Sequence, residues 1–154
     1  MEVPLEEKPI GRSCHLCGPI PDFQKVELLH GKERLPEQVG RLERIAGSGV
    51  YGAEELRVCR ACGCYFLFLH DHDSEAGMGE GYSDEAITRI DTDRALRELD
   101  RLEREAHASE LHWGSPAAAG YGTVAERFRN EAREELVRIG RERMRLNGQG
   151  CGTA

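Results

Sequence analysis

The sequence has no surplus of positive charge and is poor in large apolar side chains and in long hydrophobic runs. It carries 21 Lys+Arg against 28 Asp+Glu, for a formal net charge of −7. No cationic surplus is there to drive counterion release from a polyanion, so general polyanion binding is disfavoured. Leu, Ile, Val and Phe together number 32 of 154 residues, just above the level at which a charged chain stays disordered. A core this small benefits from an added staple. The longest apolar run, Tyr65 to Leu69, is flanked by charge within a few residues, which excludes a membrane-spanning helix. The N-terminus is acidic, with neither a basic n-region nor an apolar h-region, so no secretory signal is expected. The expected compartment is the cytoplasm, where thiols stay reduced. No Walker A sequence, nucleophile elbow or dinucleotide fingerprint appears. The length suits one domain.

What charge there is lies unevenly. From His70 to Asp93 there are eight acids (Asp71, Asp73, Glu75, Glu80, Asp84, Glu85, Asp91, Asp93) and a single base, Arg89. That segment alone nets −7, and the rest of the chain balances at 20 acids against 20 bases. The protein is therefore near neutral with one acidic segment.

Five of its six cysteines fall in two clusters. Cys14-x2-Cys17-Gly18 and Cys59-x2-Cys62-Gly63 are matching knuckles. Two thiolates separated by two residues face one ion across a tight turn, and the glycine lets the backbone reverse. Four thiolates around a tetrahedral ion, with no open position, describe structural zinc, with Cys14, Cys17, Cys59 and Cys62 as ligands. Iron in a rubredoxin-like site would use the same four thiolates. The two knuckles are far apart: 41 residues separate Cys17 from Cys59, where short ribbons use about 15–20. Lengthening the loop adds only about 0.7 kcal/mol of closure cost. Structural zinc supplies roughly 10–16 kcal/mol in small peptides, so the metal outweighs the insertion.

The pattern around the knuckles predicts the elements. Residues 23–29 fit a short strand or a helix. Pro36 to Ala46 fits a helix, with Leu35, Val39, Leu42 and Ala46 at helical spacing. Leu56 to Cys59 and Cys64 to Leu69 read as two strands around the second knuckle, the latter apolar enough for burial on both faces. His70 to Ser83 reads as an acidic, Gly-rich loop. Asp91 caps a helix starting at Thr92, with Ala95, Leu96, Leu99, Leu102 and Ala106 as its apolar stripe. Thr123 caps a last helix carrying Val124, Phe128, Ala132, Leu136 and Ile139.

The knuckles, and especially Val58-Cys59-Arg60-Ala61-Cys62-Gly63-Cys64-Tyr65-Phe66-Leu67-Phe68, resemble a zinc ribbon. The run onward through His70-Asp71-His72-Asp73 and Thr88-Arg89-Ile90-Asp91 is similar to small uncharacterised bacterial zinc-ribbon proteins. The resemblance covers roughly residues 12–106. It implies a binding or stabilising module and carries no activity with it.

The expected architecture is α+β: a small antiparallel zinc ribbon with an inserted helix and two longer C-terminal helices. Its expected divisions are a lead-in at 1–13, the ribbon domain at 14–113, a linker at 114–122, a helix at 123–147 and a tail at 148–154. Phe66 and Phe68 are expected to pack on Leu96, Leu99 and Leu102. Cys64 reads as a core thiol and Cys151 as an incidental one. His15 reads as a solvent-facing turn residue. His70 and His72, with Asp71 and Asp73, are a weaker candidate for a second metal, lacking a third ligand and a base. Asp71-x-Asp73-x-Glu75 fails as a calcium loop, because Ala76 stands where the sharp turn calls for Gly.

The expected function is a non-enzymatic binding or adaptor protein. It would take a protein partner, of basic character, through Asp71, Asp73, Glu75 and Glu80. Nucleic-acid binding through the ribbon and the last helix, with Arg138, Arg141, Arg143 and Arg145, is the alternative, and a histidine-based hydrolase or a redox protein ranks lower. Trp113, Tyr121 and Phe128 can anchor a partner or simply pack.

Overall fold

A computed structural model describes residues 13–47, 53–73 and 82–149. The chain folds as an α+β protein. Its strands are β1 (Phe23–Glu27), β2 (Glu43–Ala46), β3 (Ala53–Val58), β4 (Tyr65–Asp73) and β5 (Tyr82–Ile90). They form one antiparallel sheet in the order β1-β5-β4-β3-β2. Two long helices follow, α1 (Thr92–Trp113) and α2 (Thr123–Gln149). Short 3-10 helices occupy Glu37–Arg41 and Pro116–Tyr121.

The sheet is covered on both faces. Strand β4 sits centrally, and its run Tyr65, Phe66, Leu67, Phe68 is buried throughout. Side chains alternate across a strand, so Tyr65 and Leu67 join Leu56, Val58 and Ile90 under the helices. Phe66 and Phe68 join Ile87, Cys17, Cys59 and Cys64 on the opposite face. The expected burial on both faces holds. The expected packing of Phe66 and Phe68 on the α1 stripe does not: Leu99 and Leu102 meet Tyr65 and Leu67 instead. The one-residue phase of the strand decides the face.

Helix α1 starts as its sequence dictates. The Asp91 carboxylate accepts from the Arg94 N–H at 2.7 Å, and Ala95, Leu99, Leu102 and Ala106 form its buried stripe. Helix α2 packs on α1 and β2. Its buried apolar residues are Ala125, Ala132 and Ile139, while Val124 is exposed. Thr123 is the first helical residue rather than the cap.

The predicted helix over 36–46 is half right. Glu37–Arg41 is a 3-10 turn, and Glu43–Ala46 is strand. Val39, Leu42 and Ala46 are all buried, as helical spacing expects, but not together. Val39 and Leu42 pack on the cysteine face, and Ile45 and Ala46 pack under the helices. The chain crosses the sheet edge between them. It then turns at Gly47, where φ is +113° and an added Cβ would lie 2.2 Å from the Glu54 carbonyl oxygen. No side chain fits there.

His70–Asp73, predicted as loop, continue β4 and pair with Glu85 through Tyr82. The middle of the predicted loop, with Glu75 and Glu80, lies outside the described residues, as does Cys151. Segment 114–122 is the 3-10 turn at Pro116–Tyr121, with Ala118 buried. No described helix is long and apolar enough to cross a membrane.

Candidate metal centre

The two knuckles reach the site by different routes. The second is the hairpin between β3 and β4, closed by the Cys59 N–H donating to the Cys64 carbonyl at 2.9 Å. The first is a run of turns ahead of β1. Each is tied by the same bond: Gly18 N–H to Cys14 carbonyl at 2.8 Å, and Gly63 N–H to Cys59 carbonyl at 2.7 Å. Gly63 sits at φ +81°, in the left-handed region that favours glycine.

These turns bring four sulfurs together. The Sγ atoms of Cys14, Cys17, Cys59 and Cys62 all lie within 4.8 Å of one another. The close pairs join one knuckle to the other, Cys14 to Cys59 at 3.8 Å and Cys17 to Cys62 at 3.4 Å. Zinc–sulfur bonds of about 2.3 Å set tetrahedral sulfurs about 3.8 Å apart. The donor set therefore fits one metal ion and is compatible with zinc. It is the sole such cluster among the described residues. Cys17 and Cys59 are buried, Cys14 is half-buried and Cys62 is exposed.

The thiols start from unlike protonation states. The Cys17 backbone N–H, followed by that of Leu16, lowers the Cys14 thiol to about 6 against some opposing burial. Burial pushes Cys17 and Cys59 up. A bound cation overrides this difference, because a coordinating thiol is deprotonated outright. Cys64 stays outside the set. It is buried in the sheet face, and burial raises its thiol to about 11.

A fifth residue completes the site, and sequence reasoning missed it. Arg89 projects from β5 onto the first knuckle. Its guanidinium donates to the Cys17 carbonyl at 3.1 Å, the Ile20 carbonyl at 2.9 Å and the Cys17 Sγ at 3.7 Å. It stacks over Phe66 at 4.7 Å and meets the Asp22 carboxylate at 3.3 Å. Its side chain is only 7% exposed. Four thiolates on a divalent ion leave two negative charges, and Arg89 places a fixed cation against them. The signal was present: Arg89 is the lone base among eight acids, two residues from Ile87 on the same strand face.

Arg89→Met keeps the stem over Phe66 and removes the fork and charge. We expect zinc affinity to fall roughly 10–100-fold, the usual range for groups that orient metal ligands. Competition against a chromogenic chelator measures it. Arg89→Lys should recover only part, since an ammonium cannot reach both carbonyls and the sulfur at once. Unchanged affinity in Arg89→Met would remove Arg89 from the site.

The other candidates lie elsewhere. His15 is exposed. His70 contacts Ser83 Oγ at 3.3 Å and Glu85 at 3.9 Å, at the far end of the sheet. Asp71 lies beside it on β4, and the side chains of His72 and Asp73 fall outside the described residues. Of the C-terminal arginines, Arg143 pairs with Asp100 and Glu103, Arg145 with Glu142, and Arg138 donates to the Ile45 carbonyl. Trp113 stacks on Phe128 and meets Tyr121 edge-on.

Fold and site together define an α+β protein whose described residues bring four cysteines into position to bind one metal ion. Comparison with protein-family models, curated proteins and solved structures finds no match to this chain.

Proposed function

We propose that the protein is a non-enzymatic zinc-ribbon binding module, held by one structural zinc, that presents its acidic sheet end to a basic protein partner. The zinc half rests on the four sulfurs. A tetrahedral all-thiolate ion has no open position for water or substrate, so it acts on stability and not on a chemical step. The same set would hold iron, whose visible absorbance distinguishes it from colourless zinc.

The partner half rests on one observation in the sheet. Asp71 stands directly opposite Asp84. Like charges opposed across a strand pair are destabilising. Lys25 offsets part of this from β1, with its Nζ 3.5 Å from Asp84. A cationic partner would offset more. Nucleic-acid binding is the weaker reading, because Arg138, Arg143 and Arg145 are already engaged within the fold.

The test is affinity purification from the native host with a Cys-intact bait and with a variant carrying Asp71→Asn, Asp73→Asn, Glu75→Gln and Glu80→Gln. Recovery of a basic partner should fall about tenfold or more in the variant, since charge pairs set encounter and specificity. Zinc content should stay unchanged, and melting should not fall, because Asp71→Asn relieves the repulsion from Asp84. Equal recovery would leave the acidic end as ordinary solvated surface.

A further inference from the structure

The four sulfurs of the metal site are not equally open to solvent. Cys62 is exposed, Cys14 is half-buried, and Cys17 and Cys59 are buried. On a metal each sulfur is a thiolate. Oxidation of a cysteine follows thiolate character and exposure, so Cys62 is the sulfur that an oxidant meets first.

The sulfur facing it is buried and close. Cys17 Sγ stands 3.4 Å from Cys62 Sγ, against 3.8 Å for the Cys14–Cys59 pair. A disulfide bond is about 2.05 Å long, so closing the pair takes about 1.4 Å of movement. Arg89 aims Cys17 from behind, through the Cys17 and Ile20 carbonyls. The β3–β4 hairpin places Cys62, and its turn closes through the Gly63 N–H and the Cys59 carbonyl. None of these bonds involves the metal.

We infer that Cys62 is an oxidation site for a hydroperoxide, with Cys17 as its resolving thiol. The Cys62 thiolate attacks one peroxide oxygen, the O–O bond breaks, and a sulfenic acid forms as hydroxide leaves. The Cys17 thiolate then attacks the Cys62 sulfur, the S–S bond forms and a second hydroxide leaves. Two thiolates give two electrons to one peroxide, and both hydroxides take protons from solvent. The two sulfurs left over are too few for a tetrahedral site, and the metal is released. The new bond joins the two knuckles across 45 positions, so a covalent staple takes the place of the ionic one. A link within either knuckle would close only a short ring and leave the two knuckles unjoined. The inference rests on the zinc reading of the site.

The zinc-loaded full chain is treated with hydrogen peroxide, as wild type and as Cys64→Ala, which removes the neighbouring thiol outside the set. One zinc should reach a chromogenic chelator for each peroxide consumed. Trypsin cuts after Arg12, Lys25, Arg57, Arg60 and Arg89, which puts Cys59 and Cys62 on separate peptides. Residues 13–25 should be joined to residues 61–89 in both proteins, with fragmentation placing the link on Cys17 and Cys62. The oxidised, metal-free chain should melt above the reduced chain stripped by chelator, and dithiothreitol with zinc should restore the starting protein. Zinc retained under excess peroxide, a link on any other pair of cysteines, or an oxidised chain melting with the stripped one would each overturn the inference. A chain that purifies without metal sinks the zinc reading instead, and the same peptide map on that chain still decides the pair.

Discussion

Serine in place of Cys59 removes the cooperative melt of the protein or lowers it by about 10–20 °C. Cys59 is 3% exposed and directly follows β3, and two of its three partners in the site come from a knuckle 41 residues earlier. On the proposed reading, a bound metal is the link that holds those turns against the sheet. Structural zinc contributes roughly 10–16 kcal/mol in small peptides, comparable to the whole stability of a domain, about 5–15 kcal/mol. Even a loss on the order of 5 kcal/mol shifts the melting point by about 10–20 °C at this chain length. Cys14, Cys17 and Cys62 should behave alike. Cys64→Ala is the control: it removes one buried sulfur outside the cluster, at a cost of roughly 1 kcal/mol. Circular dichroism melts of the five variants measure this. A Cys59→Ser protein melting with the wild type would show that the cluster does not hold the fold.

The second large effect lies on α2. Glu142 is 3% exposed, yet carries a carboxylate. Its Oε1 accepts from the Tyr65 hydroxyl at 2.6 Å and from Arg145 at 3.1 Å, and its Oε2 accepts from Arg60 at 3.1 Å. Arg60 lies inside the second knuckle and also grips Glu43. One carboxylate thus ties α2 to the knuckle hairpin and to the first residue of β4. Removing one member of a buried pair typically costs about 3–5 kcal/mol. Arg60 and Arg145 reach solvent, at 42% and 32% exposure, so they rehydrate in part. For Glu142→Ala we therefore expect about 2–4 kcal/mol in a denaturant melt. A loss below about 0.5 kcal/mol would place the pair among ordinary surface bridges.

The same group sets an acid dependence. Burial raises the Glu142 carboxyl, but hydrogen bonds from Arg145 and Tyr65 outweigh it and hold the group below its ordinary range. A folded-state value below the unfolded one means the stabilisation is complete above the unfolded value, near pH 4.3, and is lost as pH falls through the folded one. The stability difference between wild type and Glu142→Gln should therefore narrow below about pH 4.

The parts legible in the sequence were the local ones. Two knuckles announce themselves by cysteine spacing, α1 by the Asp91 cap and the stripe from Ala95 to Ala106, and central β4 by its unbroken apolar run. What escaped depends on partners far along the chain. β1 was ambiguous because its pairing fixes it as strand, and that partner, β5, lies about 60 residues on: Phe23 faces Thr88. β2 passed for helix because residues at helical spacing were buried on two different faces. Arg89 was seen as a charge count and not as a side chain, since only the β5 register aims it at Cys17. The face chosen by Phe66 and Phe68 is a matter of one residue of phase, which a run apolar on both faces does not reveal.

The central claim is one metal ion on four cysteines. Native mass spectrometry with elemental analysis, on protein purified without chelator, tests it most directly. The account predicts one zinc per chain in the wild type, and substoichiometric metal in Cys17→Ser and Cys62→Ser. Metal-free folded wild-type protein would contradict it, and one iron in place of zinc would keep the site but overturn the zinc assignment.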